Sequence, residues 1–334
     1  MYFIAEIGVN HNGCVNLAKE MIDAAKKSGA DCVKFQSFDA KKLARKTTPK
    51  VEYQKNEENN KETHFEMLSR LQFSKEQIIE VYKYCKEIDI DFISTPYDVD
   101  SAKSLHKLGC KVFKTASADI VDFQLHNYLS SSADKVIISL GMANLGEIED
   151  VLSLYAKSTT EIILLHCISN YPCSDESVNI NNIITLKSAF HHEVGFSDHT
   201  IGNVASVMSI CYGANLIEKH FTLDKNLSGP DHAASSTPEE FYSLVNECTR
   251  AKKMLGSSIK RIQKEEISMR DVSRKSIYAA EDISLGSIIE IKHLSAIRPG
   301  NGLSPMLIPK IVGTKAKSII KKGDLLKFGD FGED

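Results

Sequence analysis

Two histidines, His199 and His220, each close a short apolar-rich run, Glu193-Val-Gly-Phe-Ser-Asp-His199 and Asn215-Leu-Ile-Glu-Lys-His220. Runs of this kind read as β-strands, and neutral imidazoles fixed on neighbouring strand ends can hold one divalent metal between them. Six other places repeat the pattern of an apolar strand ending in polar or ionisable residues. In chain order those ends carry Glu6, Asn10 and His11; Lys34 and Gln36; Ser94 and Thr95; Lys114, Ser117 and Asp119; Ser139; and His166. With Ser197, Asp198, His199, Lys219 and His220 they would make a cationic, hydroxyl-rich cup. Such a cup suits a small, highly anionic substrate such as a phosphate ester.

Each candidate has a plainer reading beside it. Lys34 and Lys114 sit in apolar strands, Cys-Val-Lys-Phe-Gln and Val-Phe-Lys-Thr-Ala. An inward lysine there is costly without an anion, so each is a site group or half of a structural ion pair. A lone strand-end histidine is usually a hydrogen-bonded core residue, and His166 in Leu-Leu-His-Cys keeps that reading. The pair His191-His192 follows a helix and reads as a solvated end. Glu6 is placed to act as a base or to orient a water. Cys167 lies close by, but no partner pattern supports a catalytic thiol.

The elements that must position these groups alternate regularly. Strands are expected to end near Gly8, Gln36, Thr95, Thr115, Leu140, Cys167, Ser197 and Phe221, with amphipathic helices between them. Leu17, Met21, Ile22 and Ala25 share one helical face, as do Ile78, Val81, Tyr82 and Cys85. Further helices are expected to start near Ser101, Phe123, Leu145, Asn179, Ile201 and Pro238. Most strand ends recur at the length of one βα unit, and eight such units favour a closed (β/α)₈ barrel over an open doubly wound sheet. The interval from Phe38 to about Phe73 is too long for one unit, and its polar composition predicts an extended loop over the barrel mouth. Residues 1–256 are therefore assigned to the barrel and the charged stretch 257–274 to a linker. Residues 275–334 form a β-rich module, with short strands expected at Ser276-Ile-Tyr-Ala-Ala, Ser287-Ile-Ile-Glu-Ile, Ile311-Val-Gly, Ala316-Lys-Ser-Ile-Ile and Leu325-Leu-Lys-Phe.

Composition bounds the partners. The 334 residues are 42% hydrophobic and 25% charged, with a formal net charge of −3, which gives no field to attract nucleic acid or an acidic membrane surface. No apolar run is long enough to span a bilayer, and Met1-Tyr-Phe-Ile-Ala-Glu6 reads as a first strand rather than a signal peptide. Eight cysteines without a C-x-x-C pair suggest reduced thiols in a cytoplasmic protein.

Seven motifs in one order carry a resemblance: Glu6-Ile-Gly-Val-Asn-His-Asn-Gly13, Lys34-Phe-Gln36, Ser94-Thr-Pro96, Gly195-Phe-Ser-Asp-His-Thr200, Glu218-Lys-His-Phe-Thr222, Gly229-Pro-Asp-His232 and Arg298-Pro-Gly-Asn-Gly302. Together they resemble the sialic acid (nonulosonic acid) synthase family from end to end, and the C-terminal module resembles its antifreeze-like SAF domain. The resemblance implies a metal-dependent condensation of phosphoenolpyruvate with an N-acylated aldose, giving a nine-carbon 2-keto acid and phosphate by C–O cleavage. It implies that His199 and His220 hold Mn²⁺ (or Mg²⁺), and that Glu6 and Asp231 orient the attacking water or handle its protons. Lys34, Lys114, Ser117, Ser139 and Ser197 match positions that grip phosphoenolpyruvate; Gln36 and Tyr171 match sugar-side positions. Arg298 matches an arginine that reaches the partner subunit's sugar site, which implies a domain-swapped homodimer.

The chain departs from the family pattern in three places. Lys114-Thr-Ala-Ser-Ala-Asp119 ends in aspartate where glutamate is usual, Ser139-Leu-Gly replaces Ser-Thr-Gly, and Ser169 stands where some relatives place an asparagine phosphate contact. A shorter carboxylate at Asp119 would have to reach farther to touch sugar or proton. The stretch Lys50-Val-Glu-Tyr-Gln54, with Leu223-Asp-Lys-Asn226, resembles the bacterial branch acting toward N-acetylneuraminate or legionaminate. Competing readings are a Schiff-base aldolase using Lys114 or Lys219, and a non-catalytic sugar-binding homologue motivated by Asp119.

Overall fold

The computed structural model describes residues 1–50 and 62–332. They divide into two compact units, Met1–Gly256 and Ser257–Asp334. In the first, eight parallel strands form one sheet: β1 (Tyr2–Gly8), β2 (Cys32–Ser37), β3 (Asp91–Pro96), β4 (Val112–Thr115), β5 (Lys135–Ser139), β6 (Glu161–His166), β7 (Glu193–Asp198) and β8 (Leu216–His220). Their order is β3-β2-β1-β8-β7-β6-β5-β4, and contact between β3 and β4 closes the cylinder. The (β/α)₈ architecture follows from the sequence pattern. The strands carry apolar residues on both faces because one face meets the barrel interior and the other the helical shell.

The helices are α1 (Val15–Lys27), α2 (Ala40–Leu43), α3 (His64–Leu71), α4 (Lys75–Glu87), α5 (Val99–Lys107), α6 (Phe123–Ser132), α7 (Leu145–Ser153), α8 (Asp175–Val178), α9 (Asn182–Phe190), α10 (Val204–Cys211) and α11 (Pro238–Leu255). On α1, Met21, Ile22 and Ala25 are fully buried; on α4, Ile78, Val81 and Cys85 are buried while Tyr82 packs edge-on against Phe92. Caps explain why several helices begin where they do. Asp98 accepts from Asp100 and Ser101 to start α5, two residues ahead of the expected Ser101. Asn144 with Glu147, and Thr237 with Glu240, close capping boxes at the expected starts of α7 and α11. Near Asn179 the chain takes a left-handed turn (φ 45°) between α8 and α9, so the long helix starts three residues later than expected. The helix expected near Ile201 likewise starts at Val204.

The interval from Phe38 to Phe73 is not the continuous loop that its polar composition suggested. It holds α2 and α3. A Thr63–Glu66 capping box starts α3, and Met67, Leu68 and Leu71 on its inner face pack with Val9, Phe38 and Ala40 as a small separate core. Of the stretch Lys50–Gln54, positions 51–54 lie outside the described residues. No helix among the described residues is long and apolar enough to cross a membrane.

The second unit has a core of its own, including Ile277, Ile289, Ile311 and Leu326. It contains α12 (Ile267–Ser273), β9 (Ser276–Ala279), β10 (Leu294–Ile297), α13 (Ile308–Ile311), β11 (Lys315–Ala316) and β12 (Phe331–Gly332). β9 pairs antiparallel with β10, and β11 with β12. Three short strands expected here form otherwise. Ser287–Ile291 contributes a single bridge at Ile288, Leu325 bridges Tyr278 alone, and Ile311 ends a helical turn that Pro309 favours. Apolar pieces of three or four residues carry too little periodicity to separate strand from turn.

Candidate active site

Strand alternation sorts the barrel interior into layers. Ile4, Cys32, Ile93, Ile137, Ile163, Leu165 and Leu216 form an apolar plug at the N-terminal end of the strands. Gly195 belongs to this crowded zone: a β-carbon there would meet the Leu216 carbonyl oxygen at 2.6 Å and Leu165 at 2.7 Å. One pleat farther along, the inward positions turn polar. Glu6, Lys34, Lys114, Ser139, Ser197 and Glu218 line a cavity of about 460 Å³, and another step up Gln36, Thr95, His199 and His220 do so as well. Ser117, Asp119, Ser169, Tyr171 and Asp231 reach the same cavity from the loops that follow the strands. The imidazole pair, the inward lysines and the loop groups expected at the site therefore line one cavity, whereas Asn10, His11, Ser94, His166, Asp198 and Lys219, also expected in the cup, do not line it. Arg298 lies exposed in the second unit.

Glu218 is the central residue that strand-end reading missed. Its Oε1 accepts from Ser197 Oγ at 3.2 Å and lies 3.6 Å from Lys34 Nζ and 3.8 Å from Lys114 Nζ. A usable signal was present, because a strand that turns His220 inward must also turn Glu218 inward and Lys219 outward. Burial favours the neutral acid, but Lys114 and Lys34 hold the Glu218 carboxyl down at about 2. Lys34 Nζ also pairs with Glu6 Oε2 at 2.8 Å and donates to Thr95 at 3.3 Å. Burial alone would discharge Lys34; Glu218 and Glu6 reverse that and raise its pKa. Lys114 donates to Ser139 Oγ, yet burial leaves its pKa lowered despite Glu218.

The two imidazoles stand on adjacent strands with ring centroids 5.6 Å apart, and Tyr171 lies 4.2 Å from the His199 ring. Burial lowers His199 to about 4 and takes His220 well below its ordinary value, so both rings are neutral near pH 7. His199 Nδ1 donates to the Ile168 carbonyl at 2.7 Å, which leaves the lone pair on Nε2, the atom 3.4 Å from Ser197 Oγ. His220 Nδ1 is buried with no hydrogen-bond partner. Two neutral rings with a lone pair available fit a divalent ion, although among the described residues no group of three His, Cys, Asp or Glu side chains forms a complete ligand set. A site of this kind leaves the other coordination positions to water and substrate.

Two carboxyls at the rim are held near neutrality. Burial, reinforced by Glu6, pushes Asp231 up to about 7. Its loop is braced from behind, where Asn10 Nδ2 donates to Ser235 Oγ and Ser235 Oγ donates to the Asp231 carbonyl at 2.6 Å. Burial, reinforced by Asp122, pushes Asp119 up to about 7, and its Oδ2 is buried without a partner. The folded chain thus binds this proton more tightly than the unfolded chain does. Stability is full below the unfolded value near 3.8 and is lost as pH rises to about 7. Asp119→Asn, which mimics the neutral acid, is expected to match the parent at pH 4 and exceed it by about 2–4 kcal/mol at pH 8. Urea titrations at the two pH values check this.

Other strand-end residues face elsewhere. Lys219 pairs with Asp198 at 2.9 Å outside the barrel and donates to the Thr200 and Gly202 carbonyls, which removes it as an amine nucleophile. His166 is buried in the helical shell, bonded to the Val178 carbonyl, as its plainer reading had it. His11 stacks on Phe73, and His191 is exposed at the end of α9. Cys167 Sγ touches Ser117 Oγ at 3.2 Å. Gly141 completes this corner: a β-carbon would strike Ser169 Oγ at 2.2 Å and Ser117 Oγ at 2.8 Å, so only glycine admits both hydroxyls.

Comparison with known proteins agrees with this geometry. The NeuB family profile matches residues 21–260 and the SAF domain profile residues 274–332. The chain is 41% identical to an N,N'-diacetyllegionaminic acid synthase of Campylobacter jejuni, over 97% of this chain and 98% of that one. It is also 41% identical to the protein of the same name from Legionella pneumophila, over 97% and 93%. Among solved structures, a sialic acid synthetase of Leptospira borgpetersenii in complex with citrate aligns with TM-score 0.72 and 33% identity, covering 80% of this chain and 89% of that one. The chain is an enzyme, and it belongs to the NeuB family, with a SAF domain joined to its synthase barrel.

Proposed function

We propose that the protein condenses phosphoenolpyruvate with an N-acylated aldose to a nine-carbon, sialic acid-type 2-keto acid and phosphate. The observation that carries this reading is the convergence of two neutral imidazoles and two buried lysines on one cavity. Relatives named as legionaminic acid synthases at 41% identity support it. A divalent ion held by His199 and His220, Mn²⁺ or Mg²⁺, would supply Lewis-acid polarisation of the aldehyde.

The chain's own groups do the rest. Lys34, Lys114 and the hydroxyls of Ser117, Ser139, Ser169 and Ser197 bind the carboxylate and phosphate of phosphoenolpyruvate. Gln36 and Tyr171 hold the sugar so that its aldehyde carbon faces carbon 3 of the donor. As the new carbon–carbon bond forms, the aldehyde oxygen takes a proton and water adds to carbon 2. Asp231 and Glu6 flank the site where that water gives up its proton, and a group poised near pH 7 suits the exchange. Collapse to the ketone breaks the carbon–oxygen bond, so phosphate leaves with the bridging oxygen.

Phosphoenolpyruvate labelled with ¹⁸O at the bridging position should return that label in inorganic phosphate, and only when sugar and metal are both supplied. Label in the keto acid instead would sink the reading. The Schiff-base alternative rests on Lys114 alone, whose lowered pKa favours a free amine. Borohydride trapping with turnover insensitive to chelator would select it. We further propose a cytoplasmic homodimer in which the partner's small domain completes the sugar site, in keeping with eight unpaired cysteines. Arg298→Ala should then raise KM for the sugar much more than for phosphoenolpyruvate; equal effects would count against this arrangement.

A further inference from the structure

Asp198 and Lys219 each immediately precede one imidazole of the pair, yet neither lines the cavity. The β7–β8 register runs Phe196 with Ile217, Ser197 with Glu218 and Asp198 with Lys219, and ends there. His199 and His220 therefore stand one residue beyond the last paired rung, where the ladder no longer sets the gap between their rings. On the outward face of that rung, Lys219 Nζ lies 2.9 Å from Asp198 Oδ2 and donates to the Thr200 carbonyl at 2.8 Å and the Gly202 carbonyl at 3.0 Å. Each ammonium hydrogen thus has an acceptor, and two of the acceptors, on Asp198 and Thr200, flank His199. Asp198 is satisfied in turn: Oδ1 accepts from Thr200 N at 2.8 Å and Thr200 Oγ1 at 2.7 Å, and Oδ2 from Ser206 Oγ at 2.6 Å. Both side chains are almost wholly buried. Taking two charges out of water offsets most of their attraction, so such a pair adds little net stability; fixing register is its best use.

We propose that the Lys219–Asp198 pair is a positioning element for the imidazoles: it clips the His199 loop to β8 and so sets the ring separation at which one divalent ion is held. The inference rests on the metal role proposed above for His199 and His220, and concerns the residues behind the rings. Lys219 is joined to His220 by one peptide bond, and its ammonium grips the chain on both sides of His199. His199 is braced from another direction as well. Its Nδ1 donates to the Ile168 carbonyl and its own carbonyl accepts from Cys173 N, each at 2.7 Å. That brace orients the ring relative to the loop after β6. The ammonium clip refers it to β8, which carries the other ring. Outer groups that fix a metal ligand in this way command about 10–100-fold in metal affinity.

The test is the dissociation constant for Mn²⁺ alone, read by equilibrium dialysis on the full chain without phosphoenolpyruvate or sugar. Lys219→Met keeps the buried stem and removes the ammonium donors, and should raise that constant about 10–100-fold. Asp198→Asn breaks the ion pair while its amide oxygen still accepts from Thr200, and should raise it about tenfold. This second variant carries the test if the first does not fold. The double variant should lose no more than the worse single one, as two halves of one clip must. Val136→Ala, a buried β5 change that lowers stability away from the rings, should leave the constant within about twofold. A constant held within about twofold in the folded clip variants, losses that add, or an equal loss in Val136→Ala overturns the proposal. Failure of the condensation reads differently, because Mn²⁺ then still binds while no phosphate is released. Should the parent bind no Mn²⁺, crystal structures of the metal-free parent and Asp198→Asn decide. A ring separation moved by about 1 Å or more from 5.6 Å supports the clip, and an unchanged separation overturns it.

Discussion

His220→Ala should lose metal-dependent phosphate release by about a thousandfold or more, with circular dichroism and thermal midpoint close to the parent. The expectation follows from the ring's circumstances. It ends β8, is fully neutral, and presents a buried Nδ1 that no protein group satisfies. A structural histidine in that setting would be bonded, as His166 is to Val178. Alanine removes one ring of the pair and leaves His199, whose Nδ1 remains fixed by Ile168. Bound Mn²⁺, measured by equilibrium dialysis, should fall together with activity. Turnover that survives the substitution would take His220 out of the chemistry.

Lys34→Met should be the most damaging change at the floor of the cavity, costing about 3–5 kcal/mol near neutral pH because it strands buried carboxylates. Lys34 lies 2.8 Å from Glu6 and 3.6 Å from Glu218, and all three side chains are almost fully buried. The pH dependence has a definite sign. Burial already raises Glu6 above its ordinary value, with Lys34 pulling the other way. Without Lys34 the folded-state value climbs further. Stability is then complete below the unfolded value and is lost as pH rises through the folded one. The deficit should accordingly be large at pH 8 and small at pH 5 in urea titrations. A further Glu6→Gln change should recover part of the loss at pH 8. A deficit independent of pH would show that Met disturbs packing instead.

The barrel was legible because every one of its strands states its identity twice, once as an apolar run and once in the polar residue that ends it. All eight strands end within a residue of where the pattern placed them. The site was legible for the same reason, down to Lys34 and Lys114 as inward lysines. What escaped was anything that depends on which neighbours meet across the barrel. Glu218 lies inside its strand rather than at the tip, so a reading of tips passed over it, although its period with His220 pointed inward. Lys219 shows the converse, a tip residue turned outward to Asp198. The α3 helix escaped because its polar flanks dominate the local composition, and its apolar face is only three buried residues long. In the small second unit, the backbone bridge from Ile283 to Ile320 joins the end of the expected strand Ala316–Ile320 to a segment with no periodic signal.

The layering of β8 has a genetic corollary. Its inward set, Leu216, Glu218 and His220, and its outward set, Ile217 and Lys219, interleave one by one. Loss or gain of a single codon within that strand would exchange the two sets wholesale, sending the imidazole into the helical shell and an ammonium group into the cup. Substitutions can adjust such a strand gradually, whereas an insertion or deletion within it is all-or-nothing.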